Sequence, residues 1–292
     1  MTLLAILKLS LTISIVLSVL ALAMRARVVD LTYLLSHWRL GLGAIAAMYV
    51  VVPAIAIVMC LLLDLRPAVE IALIATAFSP MPPILPGKQL KAGGRPSYIA
   101  GLMVLTTTAA VVIAPLGVGM AGALFNVQTG VSPSTVATVV GITVALPLVL
   151  GLAAGAAAGE RAHGISAAVG KVGHILLALT ALTLVVVLAP ALWAVIGQGT
   201  LIALGAMAFA GIAVGYLLGG PDTHDKAALS LAAATRHPGV AIAIASGTFP
   251  EEKLATAAVV LGLLVSTIFG LPFFRLLSKA THHDQAADGV IG

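Results

Sequence analysis

The sequence predicts an all-α membrane protein of about nine transmembrane helices, built as inverted repeats of four and five spans with two discontinuous helices. Three observations predict it. Of the 292 residues, 61% are hydrophobic and 9% charged, where a soluble domain carries about 25% charged residues. Apolar runs of membrane-crossing length recur from one end of the chain to the other, and no linker between them is long enough to hold a soluble domain. Two of those runs, the third and the eighth, carry helix-breaking residues near their middles.

The first span covers residues 3–24, with Lys8 as its only charge. Ala21-Leu22-Ala23 has the small-residue pattern of a signal-peptidase site, but no basic region precedes it and Arg25 and Arg27 follow, so it reads as a retained span. Residues 30–40 (DLTYLLSHWRL) read as an interfacial helix carrying Tyr33, His37, Trp38 and Arg39. The second span, 41–63, is expected to kink at Pro53, and Asp64-Leu65-Arg66-Pro67 reads as a tight turn.

The third span, 68–93, contains Ser79-Pro80-Met81-Pro82-Pro83-Ile84-Leu85-Pro86-Gly87, whose four prolines no continuous α-helix tolerates. Neither half could cross a bilayer alone, so the unwound backbone must be buried in protein or line a cavity. The fourth span, 96–122, holds Thr106-Thr107-Thr108 and Pro115, and its hydroxyls are expected to bond back to their own helix. Further spans follow at 131–158, 170–196, 200–218, 226–247 and 252–277, with a polar tail at 279–292. The whole chain reads as one integral membrane domain, with repeats over about 1–123 and 131–278.

Loop charges give the orientation. One side carries Arg25, Arg27, Arg39, Lys88, Lys91, Arg95, Arg161, Lys171, Lys226, Arg275 and Lys279, and the other only Arg66 and Lys253. Eleven against two puts the C-terminus in the cytoplasm of a multi-pass cell-membrane protein. The net charge of +5 therefore reflects orientation, and no basic run with interleaved aromatics points to nucleic acid. Cys60 is the single cysteine, which excludes an intramolecular disulfide and a cysteine-rich metal site.

The eighth span carries Thr235-Arg236-His237-Pro238-Gly239. Arg236 lies ten residues beyond Lys226, about 15 Å along a helix and close to the bilayer midplane. A guanidinium there costs at least about 2.5–3.5 kcal/mol unless it faces protein, water or a ligand. Every carboxylate falls at or near a span end, so no intramembrane acid is available to pair with it. One reading is structural, with a kinked helix whose Arg236 is satisfied by neighbouring carbonyls. The other is functional, because opposed broken helices with polar residues between them form substrate sites in secondary transporters. In that reading Arg236 holds an anion bidentately, and half-helix N-termini add donors. His237 could carry a proton, though a lone histidine beside a kink is more often a hydrogen-bonded structural residue. Lys88 lies nearer the cytoplasmic end and reads as an interfacial anchor.

With these two segments in view, SPMPPILPGKQLKAGG and ATRHPGVAIA, the chain resembles the bile acid:sodium symporter family over nearly its whole length. The resemblance implies a nine-helix topology in which the first repeat lacks one helix, and a core domain that moves against a panel domain. It also implies where cations bind in sodium-coupled members, and there this chain departs. Ala232 stands where the family has a Glu, Arg236 where it has a Gln, and Leu85-Pro86 where it has Ser-Asn, while Thr107 matches. Hard cations take oxygen ligands, and a fixed guanidinium repels them, which argues against sodium coupling of the family's kind.

The expected function is a secondary transporter or uniporter for a small organic anion, with no cofactor and with sodium or proton coupling left open. Its expected site comprises Arg236, His237, Pro238, Gly239, Ser79, Pro82, Pro83 and Thr107. Its partners are the anion and the lipid bilayer, without nucleic acid. Alternatives are a sodium symporter with a relocated site and a membrane sensor or scaffold that no longer cycles. An enzyme is not expected, because no Ser/His/Asp or metal-ligand constellation sits at one depth.

Overall fold

A computed structural model describes residues 3–82, 84–124, 134, 138, 141–249 and 251–288. Pro83, most of the first ten residues of the expected fifth span and the last four residues lie outside that set. The secondary structure of the described residues is all helical, with no strand. They include seven helices long and apolar enough to cross a membrane. One of these, Gly141–Val195, runs for 55 residues, and the shorter apolar helix Pro67–Ala77 accompanies them. The protein is an all-α, multi-pass membrane protein.

Helix α1 spans Leu3–Ala23. Its hydroxyls are met locally, Ser14 Oγ donating to Leu11 O at 2.7 Å and Ser18 Oγ to Ser14 O at 2.8 Å. The interfacial helix expected over residues 30–40 is instead two short helices, α2 (Val28–Leu31) and α3 (Tyr33–Ser36). His37 has φ −104° and ψ 58°, which stops the helix and lets a new one, α4 (Trp38–Ile45), start at Trp38. Trp38, Arg39 and Leu40 thus belong to the spanning segment.

That segment continues through a wide π-type turn, Ala46–Val51, into α5 (Val52–Leu62). The Val52 N–H bonds back five residues to Ala47 O. The same step from Met48 falls on Pro53, which has no N–H, so the Met48 carbonyl has no such partner in its own helix.

Next come α6 (Pro67–Ala77) and α7 (Leu85–Lys91), the halves of the first broken helix. The break is narrower than residues 79–87. Pro86 and Gly87 lie in the first turn of α7, where a missing N–H costs nothing because that position has no intrahelical acceptor. Helix α8 (Pro96–Leu124) absorbs Pro115 without interruption. Of the buried threonines in its cluster, Thr106 Oγ1 makes a long 3.5 Å contact with Met103 O, whereas Thr107 Oγ1 has no partner.

A π-type turn, Gly141–Ala145, leads into α9 (Leu146–Ala158), and a 3₁₀ turn joins it to α10 (Ala162–Val195). Helix α10 starts eight residues before the expected position 170, its extra turns carrying Ser166 to Arg25. Helix α11 (Thr200–Leu218) matches the expected bounds. The second broken helix is α12 (Thr223–Ala234) and α13 (Pro238–Thr248). Helix α14 (Ala255–Asp288) continues through most of what reads in sequence as a polar tail.

Two groups of helices emerge from the packing. Helices α1, α9 and α10 pack on one another. Around the breaks, α6 packs against α13 and α14, α7 against α12, and α11 against α12. Each half of one broken helix therefore meets the opposite half of the other. The α11–α12 contact is unusually close, because Gly211, Gly215 and Gly219 present one glycine face at four-residue spacing. A Cβ on Gly215 would sit 2.4 Å from Ser230 Cα, so only glycine lets the backbones approach this far.

Candidate functional site

The two breaks touch, and their chemistry differs. At the first, Ser79 closes α6 with its hydroxyl donating to Ala75 O at 2.7 Å. Its carbonyl would look three or four residues ahead for a donor and find Pro82 and Pro83, neither of which has an N–H. At the second, Thr235 ends α12, and Arg236 and His237 follow before Pro238 begins α13.

The unpaired carbonyls of the first break take the donors of the second. Arg236 Nη1 donates to Ser79 O at 3.1 Å, and the His237 N–H donates to Pro80 O at 2.8 Å. Arg236 Nη2 donates to Met48 O at 3.1 Å, the carbonyl without a helical partner ahead of Pro53. Arg236 is 5% exposed, and its Nε has no partner.

His237 is fully buried and N-caps α13, its Nδ1 accepting from the Val240 N–H at 3.2 Å. That bond places the proton of the neutral ring on Nε2, which has no partner. Pro238 occupies the first turn of α13, where its missing N–H is harmless. Gly239 gives room beside the imidazole: a Cβ there would stand 3.3 Å from His237 Cε1 and 3.4 Å from Ile15 Cδ1 of α1. Pro82 is buried and its carbonyl accepts from the Leu85 N–H at 3.0 Å, starting α7.

Of the expected site residues, the structure joins Ser79, Arg236 and His237 directly, with Pro82, Pro238 and Gly239 shaping the ends of the breaks. Thr107 is buried on α8 without a hydrogen-bond partner. Pro83 lies outside the described residues. Met48 was missed: in α-helical register Pro53 would free the carbonyl of Tyr49, and it is the π-type turn that moves the loss to Met48.

A second polar cluster holds the start of α12 in place. Arg95 grips the fully buried Asp225 with two hydrogen bonds, Nε to Oδ1 at 2.9 Å and Nη2 to Oδ2, and lies 3.5 Å from Asp222. The bond to Asp225 raises the Arg95 pKa further above its ordinary value, so this charge is permanent. Asp222 also caps α12, accepting from the His224 N–H at 2.8 Å, and Gln89 Nε2 donates to Ala228 O at 2.7 Å.

Beside the breaks lies a cavity of about 650 Å³, between α1 and α10 on one side and α7 and α8 on the other. That is the size of sites for small organic molecules, about 300–1,000 Å³. Ala21, Leu22, Ile84, Ile99, Met103 and Leu148 supply apolar walls, and Pro86 and Gly87 of the first broken helix line it. Arg25, Lys171 and His174 also face it, together with one carboxylate, Asp30. Ser97 Oγ donates to Asp30 at 2.8 Å, and this bond, with help from Arg27, holds the Asp30 carboxyl below its ordinary range. Arg25 Nε donates to Ser166 Oγ at 2.5 Å, which ties the end of α1 to α10. None of the expected site residues that are described lines this cavity.

A smaller space of about 30 Å³, lined in part by Arg236, lies between α6, α11, α12 and α14. It could admit a water molecule but no organic anion. No protein-family model matches the chain, and no curated protein sequence matches it either.

Proposed function

We propose that the protein is a secondary transporter or uniporter that carries a small organic anion across the membrane by alternating access. In this reading the chain crosses nine times, with the 55-residue stretch crossing twice and each broken helix once, and ends in the cytoplasm. Its two repeats run in opposite directions, and its resemblance to the bile acid:sodium symporter family extends to a core of broken helices moving against a panel of α1, α9 and α10.

The observation that carries the proposal is the 650 Å³ cavity at the seam between those two groups. Its apolar walls suit a hydrocarbon body. Its three bases against one already bonded carboxylate suit a negative end group. Lys171 and His174 are three residues apart on α10, so one helical face presents both. Broken helices beside the cavity favour transport over a static scaffold, because discontinuous helices of this kind build the substrate sites of secondary transporters. Arg236 already has two carbonyl partners, so in this state the anion is met by Arg25, Lys171 and His174.

Uptake into proteoliposomes tests the reading, with a panel of amphipathic carboxylates and sulfonates, each with and without sodium and a pH gradient. Uptake of at least one anion in sodium-free buffer is expected, with Lys171→Gln raising its KM about tenfold while the protein remains folded, equivalent to about 1.4 kcal/mol of anion contact. Failure of every anion under every gradient sinks the transport reading.

A further inference from the structure

Where the broken helices meet, backbone carbonyls converge on one guanidinium. The negative ends of two half-helix dipoles converge there, since Ser79 follows the C-terminus of α6 and Arg236 follows that of α12. Two carbonyls, Ser79 O and Met48 O, have lost their helical donors to Pro82, Pro83 and Pro53. In membrane carriers generally, unwound carbonyls and half-helix C-termini are what hold a coupling cation. With two carbonyls and no carboxylate as the hydrogen-bond partners of Arg236, such a position suits a single positive charge better than a divalent ion. The occupant here is the guanidinium of Arg236, which is covalently attached to the chain.

We propose that Arg236 is a tethered cation: it permanently fills a monovalent-cation position formed by the Met48 and Ser79 carbonyls. The broken helices are thereby closed on each other without any dissolved ion. The guanidinium joins three segments distant in sequence, the π-type turn before α5, the end of α6 and the end of α12. It holds them in one arrangement whatever the ionic composition. The inference rests on the carbonyl geometry and stands apart from the transport reading, because its primary measurement is stability.

The experiment is thermal unfolding of purified protein in detergent, in N-methylglucamine, sodium or methylguanidinium chloride at equal millimolar ionic strength. The wild type should melt at the same temperature in all three. Arg236→Ala removes the tether and leaves room, so it should melt lower in N-methylglucamine. It should regain roughly 2–4 °C or more with methylguanidinium, and part of that with sodium. Arg236→Lys keeps a charge on the chain and should show no cation dependence. Arg236→Met fills the space with a neutral chain, so it should be destabilised and not rescued.

If Arg236→Ala purifies only when methylguanidinium or sodium is present, the proposal is supported. If it cannot be recovered with any cation, or melts like the wild type, the proposal fails. Rescue of Arg236→Met to the same extent would reveal a general salt effect and also overturn it, as would selective stabilisation of the wild type by sodium. Loss of uptake by the wild type with the expected cation rescue of Arg236→Ala would sink the transport reading and leave the tethered cation standing.

Discussion

The two breaks solve one problem by opposite means. The first spreads over residues 78–84 and is made by prolines, which remove N–H groups and leave carbonyls unpaired. The second is three residues long, Thr235 to His237, and its Arg236 and His237 bring surplus donors. One break supplies acceptors and the other donors, so the Ser79 and Pro80 carbonyls of the first are met by Arg236 and His237 of the second. A buried polar group left unpaired costs about 1–3 kcal/mol, and several such groups in one place force pairing. The teaching of the comparison is that a broken helix in lipid should be read with its partner. Its sequence shows what it lacks, and the partner's sequence shows what fills the gap.

The largest expected effect comes from parting the two breaks altogether. Gly215→Leu places a side chain where even a Cβ would meet Ser230 Cα at 2.4 Å, so α12 must leave α11 and carry Arg236 with it. A loss of about 3 kcal/mol or more is expected, read as loss of the monodisperse peak on size exclusion. A variant that elutes and melts normally would mean that α11 does not set the position of the second break.

A smaller effect comes from giving the acceptor side its own donor. Pro53→Ala restores an N–H five residues after Met48, where it competes with Arg236 for that carbonyl. It should cost about 1 kcal/mol, whereas Arg236→Gln, which orphans both carbonyls, should cost about 1–3 kcal/mol for each. Because the two changes act on one bond, the double variant should lose less than the sum of the single losses. Strict additivity in denaturant or thermal unfolding would separate Pro53 from the Arg236 contact.

The smallest effect concerns the donor side's own helix start. His237→Ala removes the side-chain cap of α13 and should lower stability by about 1 kcal/mol, while His237→Asn, a good cap, should recover most of it. Equal melting temperatures for the two variants would mean that the Val240 contact contributes nothing.

Much of this architecture could be read along the chain because bilayers impose long apolar runs and prolines interrupt them in predictable ways. Helix α11 fell on its expected residues and the second break within its own, while the first begins one residue early, at Phe78. The first was narrower than expected because Pro86 sits in a helix's opening turn, a position where proline does no harm. The helix expected over residues 30–40 divided at His37, a backbone conformation with no compositional mark. Arg236 was recognisable as a charge needing a partner, and neighbouring carbonyls were one of the readings open for it. The cavity bases Arg25, Lys171 and His174 could be seen only as loop and helix residues, two of them counted toward orientation.

By itself the sequence determined the membrane class and the places where helices break, since proline chemistry acts within four or five residues, while the loss of a donor at the Met48 carbonyl came from the π-type turn. Only the tertiary structure decided where the unpaired carbonyls turn. Arg236 reaches Ser79 across 157 positions and Met48 across 188, and Arg25 meets Ser166 across 141. Separations of that length are set by how helices pack, through glycine faces and crossing half-helices, and local pattern carries no record of them.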